Sequence, residues 1–372
     1  MQIDAYVVDS INAPFVREKL ALADPGPGEV LVRVVATGVC HTDLNTQGGD
    51  MPLPLPGVLG HEGSGVVEAV GDGVDSVAPG DHVIMGWPYC GTCRNCLRGQ
   101  HRYCLNIGPE LLAGVRLHGP EAGSSAYSRA DGSPLSGHFF GQSSFATYSL
   151  TRANALVKVD KNVDLALLGP LACGITTGAG AIFNTARPSP GESVVIVGAG
   201  AVGLAAVMAA RNTPAATIVA VDLQDNRLEL AQELGATHTI NSRDTDMLEA
   251  IAEICGGAAD YVVDCTGNIK VIEQAADAVG LLGTVILVGG APAEARFSLD
   301  HMRTLFGKTI VGTLGGSSTS QELIPGLIKL YQAGRFPFDR LVTLYDFDDI
   351  DQAIHDAHEG GTIKAVLRVS DI

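Results

Sequence analysis

Gly198-Ala-Gly-Ala-Val-Gly203 constrains this chain more than any other stretch. The run Ser193-Val-Val-Ile-Val197 precedes it and has the length and β-branching of a strand. Leu204-Ala-Ala-Val-Met-Ala-Ala-Arg211 follows and reads as a buried helix. Strand, glycine turn and helix together are the context that lifts G-x-G-x-x-G above a chance match. Gly198 permits the tight turn. Gly200 lets a pyrophosphate approach the backbone, and Gly203 lets the helix pack close to the strand. The phosphates would sit on the free N–H groups of the helix N-terminus. A second strand, Thr217-Ile-Val-Ala-Val221, ends at Asp222, an acid near the spacing that accepts from both ribose hydroxyls. Its charge would repel a 2′-phosphate, which favours NAD over NADP. A tight turn that binds nothing shares the bare glycine pattern, and the flanking strand and helix argue against it.

The alternation continues beyond that turn. Ala259-Asp-Tyr-Val-Val-Asp264 and Thr284-Val-Ile-Leu-Val-Gly289 read as strands, with helices at Asn226 to Leu234 and Val271 to Val279. Strand then helix, repeated, predicts a parallel, doubly wound sheet, assigned to residues 175–314. Residues 1 to about 85 differ: Tyr6-Val-Val8, Glu29 to Val35, Val66 to Val70 and His82 to Met85 are short strands between glycine and proline turns. This predicts an all-β or β-rich module. The tail from about 315 adds helices at Gln321 to Ala333 and Ile350 to His358 and a closing strand at Ala365 to Val369. A chain of 372 residues is long enough for two such domains.

Net charge is −17, which argues against a nucleic-acid partner and an anionic membrane surface. The N-terminus has no basic region followed by a long apolar run, and no stretch of about twenty apolar residues suggests a membrane span. A cytoplasmic protein is expected, and its eight cysteines then point to metal or catalysis rather than disulfides.

Cys90, Cys93, Cys96 and Cys104 place four thiols within fifteen residues. Thiolates at such spacing close a tetrahedral zinc site with no open position; an iron–sulfur cluster is the rival occupant. Cys40, in Gly38-Val-Cys-His-Thr-Asp43, and His61, in Gly60-His-Glu62, are by themselves ordinary core or polar residues. The segment Gly137-His-Phe-Phe-Gly-Gln-Ser-Ser-Phe-Ala-Thr-Tyr148 concentrates aromatic mass in a chain that is only 5% aromatic. It could line an apolar pocket, although Phe145 and Tyr148 read better as β-domain core.

Taken together, these motifs, in this order, resemble the zinc-dependent medium-chain alcohol dehydrogenases over nearly the whole chain. The carriers are Gly60-His-Glu62, the four-cysteine lobe, Cys173-Gly174, and Gly198 to Gly203 with Asp222. The resemblance implies a GroES-like β-rich catalytic domain over 1–174 and 315–372 joined to a Rossmann domain over 175–314, with NAD and two zinc ions per subunit. It implies a catalytic zinc on Cys40, His61 and Cys173, and a structural zinc on the four-cysteine lobe. Glu62 sits where the family has a carboxylate that can approach the metal. Asp43 matches the acid that orients the ligand histidine. Thr42 matches the hydroxyl that accepts the alcohol proton. His41 matches a cofactor-phosphate position, and Asn45 stands where many relatives end the proton relay with histidine. Thr177, Val202, Arg227 and Lys364 match cofactor positions, Arg227 near the adenosine ribose and Lys364 near the pyrophosphate.

The aromatic segment and Cys40-His-Thr-Asp43 look most like the bacterial aryl-alcohol (benzyl alcohol) dehydrogenases. That resemblance implies oxidation of an aromatic primary alcohol to its aldehyde. Met51, Gly86, Trp87 and Phe139 fall at positions lining the substrate cleft, Gly86 widening the slot and Trp87 narrowing it. A geraniol- or perillyl-type allylic alcohol has a similar shape and stays open as the substrate. Glutathione-dependent formaldehyde dehydrogenase shares the architecture but wants a more polar cleft. A non-catalytic NAD- and zinc-binding relative would need a broken site, and these ligands are intact. The resemblance also implies a homodimer or homotetramer, with the edge strand near Lys308-Thr-Ile-Val311 as a pairing edge.

Overall fold

The strands at the glycine turn are apolar on both faces, so both faces must be covered. The computed structural model describes residues 1–371. In it, Ser193–Val197 is buried along its whole length. It lies between Thr217–Asp222 and Ala259–Asp264, parallel to both. The sheet is extended by His238–Asn241 on one side and by Val279–Leu287 and Thr309–Gly312 on the other. All pairings in this six-stranded sheet are parallel. Valines and isoleucines of these strands, with Met247 and Ile251 from the helix Met247–Ile254, form one core. The short strand His238–Asn241 and that helix carry weak sequence signals, because a four-residue strand bearing His and Asn does not alternate.

By contact the chain divides into two units: Met1–Cys173, Thr319–Pro325 and Asp339–Ile372 form one, Gly174–Ser318 and Gly326–Phe338 the other. The sequence reading puts the whole tail in the first, whereas residues 315–318 and Gly326–Phe338 group by contact with the second unit. Leu327, Ile328, Phe336 and Phe338 are buried in that segment.

The first unit is built on two antiparallel-rich sheets. Its central strand, Glu29–Gly38, pairs with Gly63–Val70, with Tyr148–Arg152 and with Lys364–Arg368. Through that last pairing the C-terminal strand joins the sheet next to Cys40, and Val39 N–H donates to the Ala365 carbonyl at 2.9 Å. A second sheet is ordered around Gln2–Val8 and Val16–Leu22. A core of Trp87, Phe139, Phe140, Phe145, Leu59 and Phe347 lies where the candidate site is assembled. Among the described residues no single helix is long and apolar enough to cross a membrane.

Candidate active site

Cys40 is the N-cap of a seven-residue helix, His41–Gln47, that the sequence pattern does not announce. No apolar repeat marks it, but its capping residues do the chemistry. Asp43, at the third helical position, is completely buried. Its Oδ2 accepts from Cys40 N–H at 3.0 Å. Its Oδ1 accepts from Gly60 N–H at 3.0 Å and pairs with His61 Nδ1 at 3.0 Å. One carboxylate therefore fixes the Cys40 backbone, the turn before His61 and the imidazole itself. That bond leaves Nε2 as the free nitrogen of His61.

Nε2 is buried and has no hydrogen-bond partner among the described residues. It lies within 4.8 Å of Cys40 Sγ, Cys173 Sγ and a Glu62 oxygen. Two thiols and an orphaned imidazole nitrogen, converging in a buried place, are the donor set of a three-ligand zinc site. A hydrogen bond from Cys173 holds the Cys40 thiol well below its usual range, against the effect of burial. Thr42 Oγ1 is 3.7 Å from Cys40 Sγ. His41 and Asn45 are exposed on the same helix.

Glu62 is fully buried and its carboxyl is pushed up to about 7 by that burial, with Lys364 acting against it. Lys364 Nζ lies 3.0 Å from Glu62 Oε2 and donates to the Val39 carbonyl at 3.1 Å. The ammonium is thus engaged with Glu62 and Val39, where the resemblance implies a pyrophosphate contact. Gly38 makes room for this arrangement, since a Cβ there would stand 2.1 Å from Glu62 Oε2.

Sequence reasoning gives Gln142 no role, yet this buried side chain holds the site's backbone. Its Nε2 donates to the carbonyls of His61 at 2.9 Å and Met85 at 2.8 Å, and its Oε1 accepts from Gly63 N–H at 2.9 Å. It sits in a tight loop where His138, Phe140 and Ser143 have φ of 55°, 51° and 53°. Only the Phe-Phe-Gly-Gln spelling hints at this loop. It places the Phe139 and Phe140 rings 5.6 and 4.7 Å from the His61 ring. Trp87 packs on Phe140 at 5.0 Å, and Met51 borders the same cluster. A Cβ at Gly86 would meet the Ala155 carbonyl oxygen at 2.9 Å and Ser320 Oγ at 3.2 Å, so the glycine permits close packing there.

Cys90, Cys93, Cys96 and Cys104 bring their sulfurs within 4.8 Å of one another. Backbone N–H groups of Cys96 and Leu105 point at Cys93 Sγ at 3.5 and 3.4 Å and hold that thiol below its usual range. Four convergent sulfurs with amide donors aimed at them fit a closed tetrathiolate metal site.

In the second unit Gly198 has φ 95°, and a Cβ on Gly203 would lie 1.8 Å from the Gly198 carbonyl oxygen. Nothing lies within 4 Å of a Cβ on Gly200. The turn is therefore tight at two glycines and open at the third, as a pyrophosphate cradle requires. Asp222 Oδ2 accepts from Ala199 N–H at 2.6 Å, which ties the end of the second strand to the turn. Val202 lies in the first turn of the following helix, Ala201–Arg211, half-buried Arg227 has a buried Nε without a hydrogen-bond partner among the described residues, and Thr177 lies on the helix Gly174–Gly180.

Two families match. The zinc-binding dehydrogenase family covers residues 201–333 and the alcohol dehydrogenase GroES-like domain covers 26–161. The chain belongs to the zinc-binding, GroES-like alcohol dehydrogenases. It is 41% identical to a geraniol dehydrogenase of Castellaniella defragrans, over 98% of this chain and 96% of that one. A solved alcohol dehydrogenase zinc-binding domain protein of Burkholderia ambifaria is 47% identical with a TM-score of 0.96, covering both chains completely. A benzyl alcohol dehydrogenase of Acinetobacter calcoaceticus is 43% identical with a TM-score of 0.91, again over both whole chains. The fold is thus the GroES-like and Rossmann pair, and the family is zinc-binding.

Proposed function

We propose that this dehydrogenase oxidises flat, conjugated primary alcohols of the benzyl alcohol type to aldehydes, passing hydride to NAD. The observation that carries the reading is the aromatic packing on the ligand imidazole, Phe139 and Phe140 against His61 with Trp87 behind them. A flat substrate gains most from such walls, by area burial with one polar anchor at the metal.

Cys40, His61 and Cys173 would hold the catalytic zinc, and Glu62 stands close enough to approach it. Zinc, when bound, eases loss of the alcohol proton and polarises the carbonyl in the reverse direction. The chain's own residues do the rest. Asp43 keeps His61 in the tautomer that presents Nε2. Thr42 takes the alcohol proton on its hydroxyl. Asn45 has no basic atom to accept it next, so the relay leaves through the cofactor ribose, water or His41. We assign exposed His41 first to a cofactor phosphate. Asp222 accepts from the adenosine ribose and selects NAD, with Arg227 beside that ribose.

The 41% identity to a geraniol dehydrogenase favours a second reading, an allylic terpenoid alcohol with the same activated carbinol. NADH formation with benzyl alcohol, geraniol and ethanol side by side tests both. Fast turnover of benzyl alcohol over ethanol is expected. Preference for geraniol moves the substrate to the second reading, and preference for ethanol defeats both.

We also infer a homo-oligomer. Thr309–Gly312 is an edge strand of the parallel sheet, and exposed Leu281, Leu282, Leu305 and Phe306 lie in the adjoining segments. A monomer by sedimentation at micromolar concentration would remove that inference.

A further inference from the structure

Arg102 is the one residue of the structural lobe that is charged, buried and unused by either metal site. It is only 4% exposed. Its Nη2 donates to Ser320 Oγ at 2.8 Å, and its guanidinium carbon lies 4.2 Å from the centroid of the Trp87 ring. Among the described residues its Nε has no hydrogen-bond partner. The hydroxyl and the ring beside it are not anions. A buried cation is normally paired, because desolvating it is costly.

The neighbours explain what the cost supports. Trp87 has Arg102 over its ring and Phe140 set against it at 75°. Phe140 in turn lies 4.7 Å from the His61 ring. A column therefore runs from Arg102 through Trp87 and Phe140 to the ligand imidazole. Ser320 Oγ, which takes the hydrogen bond from Arg102, is the same atom that a Cβ at Gly86 would crowd. Gly86 thus leaves room for the Ser320 hydroxyl that orients the guanidinium plane.

We infer that Arg102 is a specificity-determining positioning residue: its guanidinium plane clamps Trp87 so that the column presents a flat wall to planar, conjugated alcohols. The inference rests on the substrate class proposed above. It requires the planar fork of arginine and not merely a positive charge, since an ammonium neither stacks on a ring as a plane nor holds a hydroxyl in a fixed direction.

The chain has a single tryptophan, so its intrinsic tryptophan fluorescence reports on Trp87 alone. The test compares zinc-replete wild type, Arg102→Lys and Arg102→Met. Both variants should show red-shifted emission and stronger acrylamide quenching. Both should raise KM for benzyl alcohol about tenfold, the scale of a desolvated cation–π contact, with kcat within twofold of wild type. Zinc content and melting temperature show that each variant is folded; if Arg102→Met does not fold, Arg102→Lys carries the test. Unchanged emission and KM in the folded variants overturn the clamp, and so does full rescue of both by Arg102→Lys. The emission readout needs no substrate. A wild type that prefers ethanol would defeat the substrate class without touching the clamp, and unchanged emission would defeat the clamp without touching the class.

Discussion

Asp43→Asn isolates the device that builds the catalytic metal site. In the wild type Oδ1 serves two donors, His61 Nδ1 and Gly60 N–H, while Oδ2 serves Cys40 N–H alone, all at 3.0 Å. Asparagine keeps one oxygen. Placed toward His61 and Gly60, it turns its NH2 group against the Cys40 N–H, two donors face to face in a buried place. Placed the other way, it leaves two donors without an acceptor. The first arrangement costs less. It loses one charge-assisted hydrogen bond and leaves a buried donor unsatisfied, about 2–3 kcal/mol. Part of that appears as fold stability and part as metal affinity, where loss of an orienting partner typically costs 10–100-fold. The assay is competitive chelation with a chromophoric chelator, followed to both metals of the chain. The four-cysteine site is the internal control, since Asp43 contacts none of its ligands. One zinc should be lost at roughly 10–100-fold lower chelator concentration while the other is unmoved. Equal retention of both metals would refute the assignment of Asp43 as the group that holds His61 and Cys40 in place.

Two further predictions follow from particular side chains. Burial holds His138 at about 4, below the ordinary imidazole value near 6.5. Between those values the native state binds fewer protons than the unfolded chain, so stability is full above the window and is lost as pH falls through it. The gap is worth up to about 3 kcal/mol. His138→Asn, chosen because asparagine tolerates the left-handed backbone at this position, should flatten that acid limb in urea titrations. Parallel pH curves for the two proteins would contradict it. Asp222→Gly should cut the preference for NAD over NADP at least tenfold in kcat/KM, by removing both the ribose acceptor and the charge facing a 2′-phosphate. An unchanged ratio would show that another residue reads the ribose.

How much of this was legible in the sequence depended on how local the signal is. The glycine turn needs only contiguous residues, and its three glycines have the geometry their spacing implies. The four-cysteine lobe is likewise written in fifteen consecutive positions. Cys40, His61 and Cys173 are scattered, so spacing gives no hint and only the family resemblance joined them. The helix His41–Gln47 was missed because it is too short for an apolar repeat and is held by its capping acid. Gln142, Ser320 and Arg102 were invisible for a related reason. Each acts on residues tens or hundreds of positions away, and a polar residue's burial cannot be read from its neighbours in the chain.

The most direct test of the account is benzyl alcohol turnover by Cys40→Ser beside wild type, each measured with its zinc content. The predicted result is a protein that keeps the structural zinc, loses the catalytic one and forms no NADH above background. Turnover at the wild-type rate by a folded Cys40→Ser protein would contradict the assignment of catalysis to the Cys40, His61 and Cys173 site.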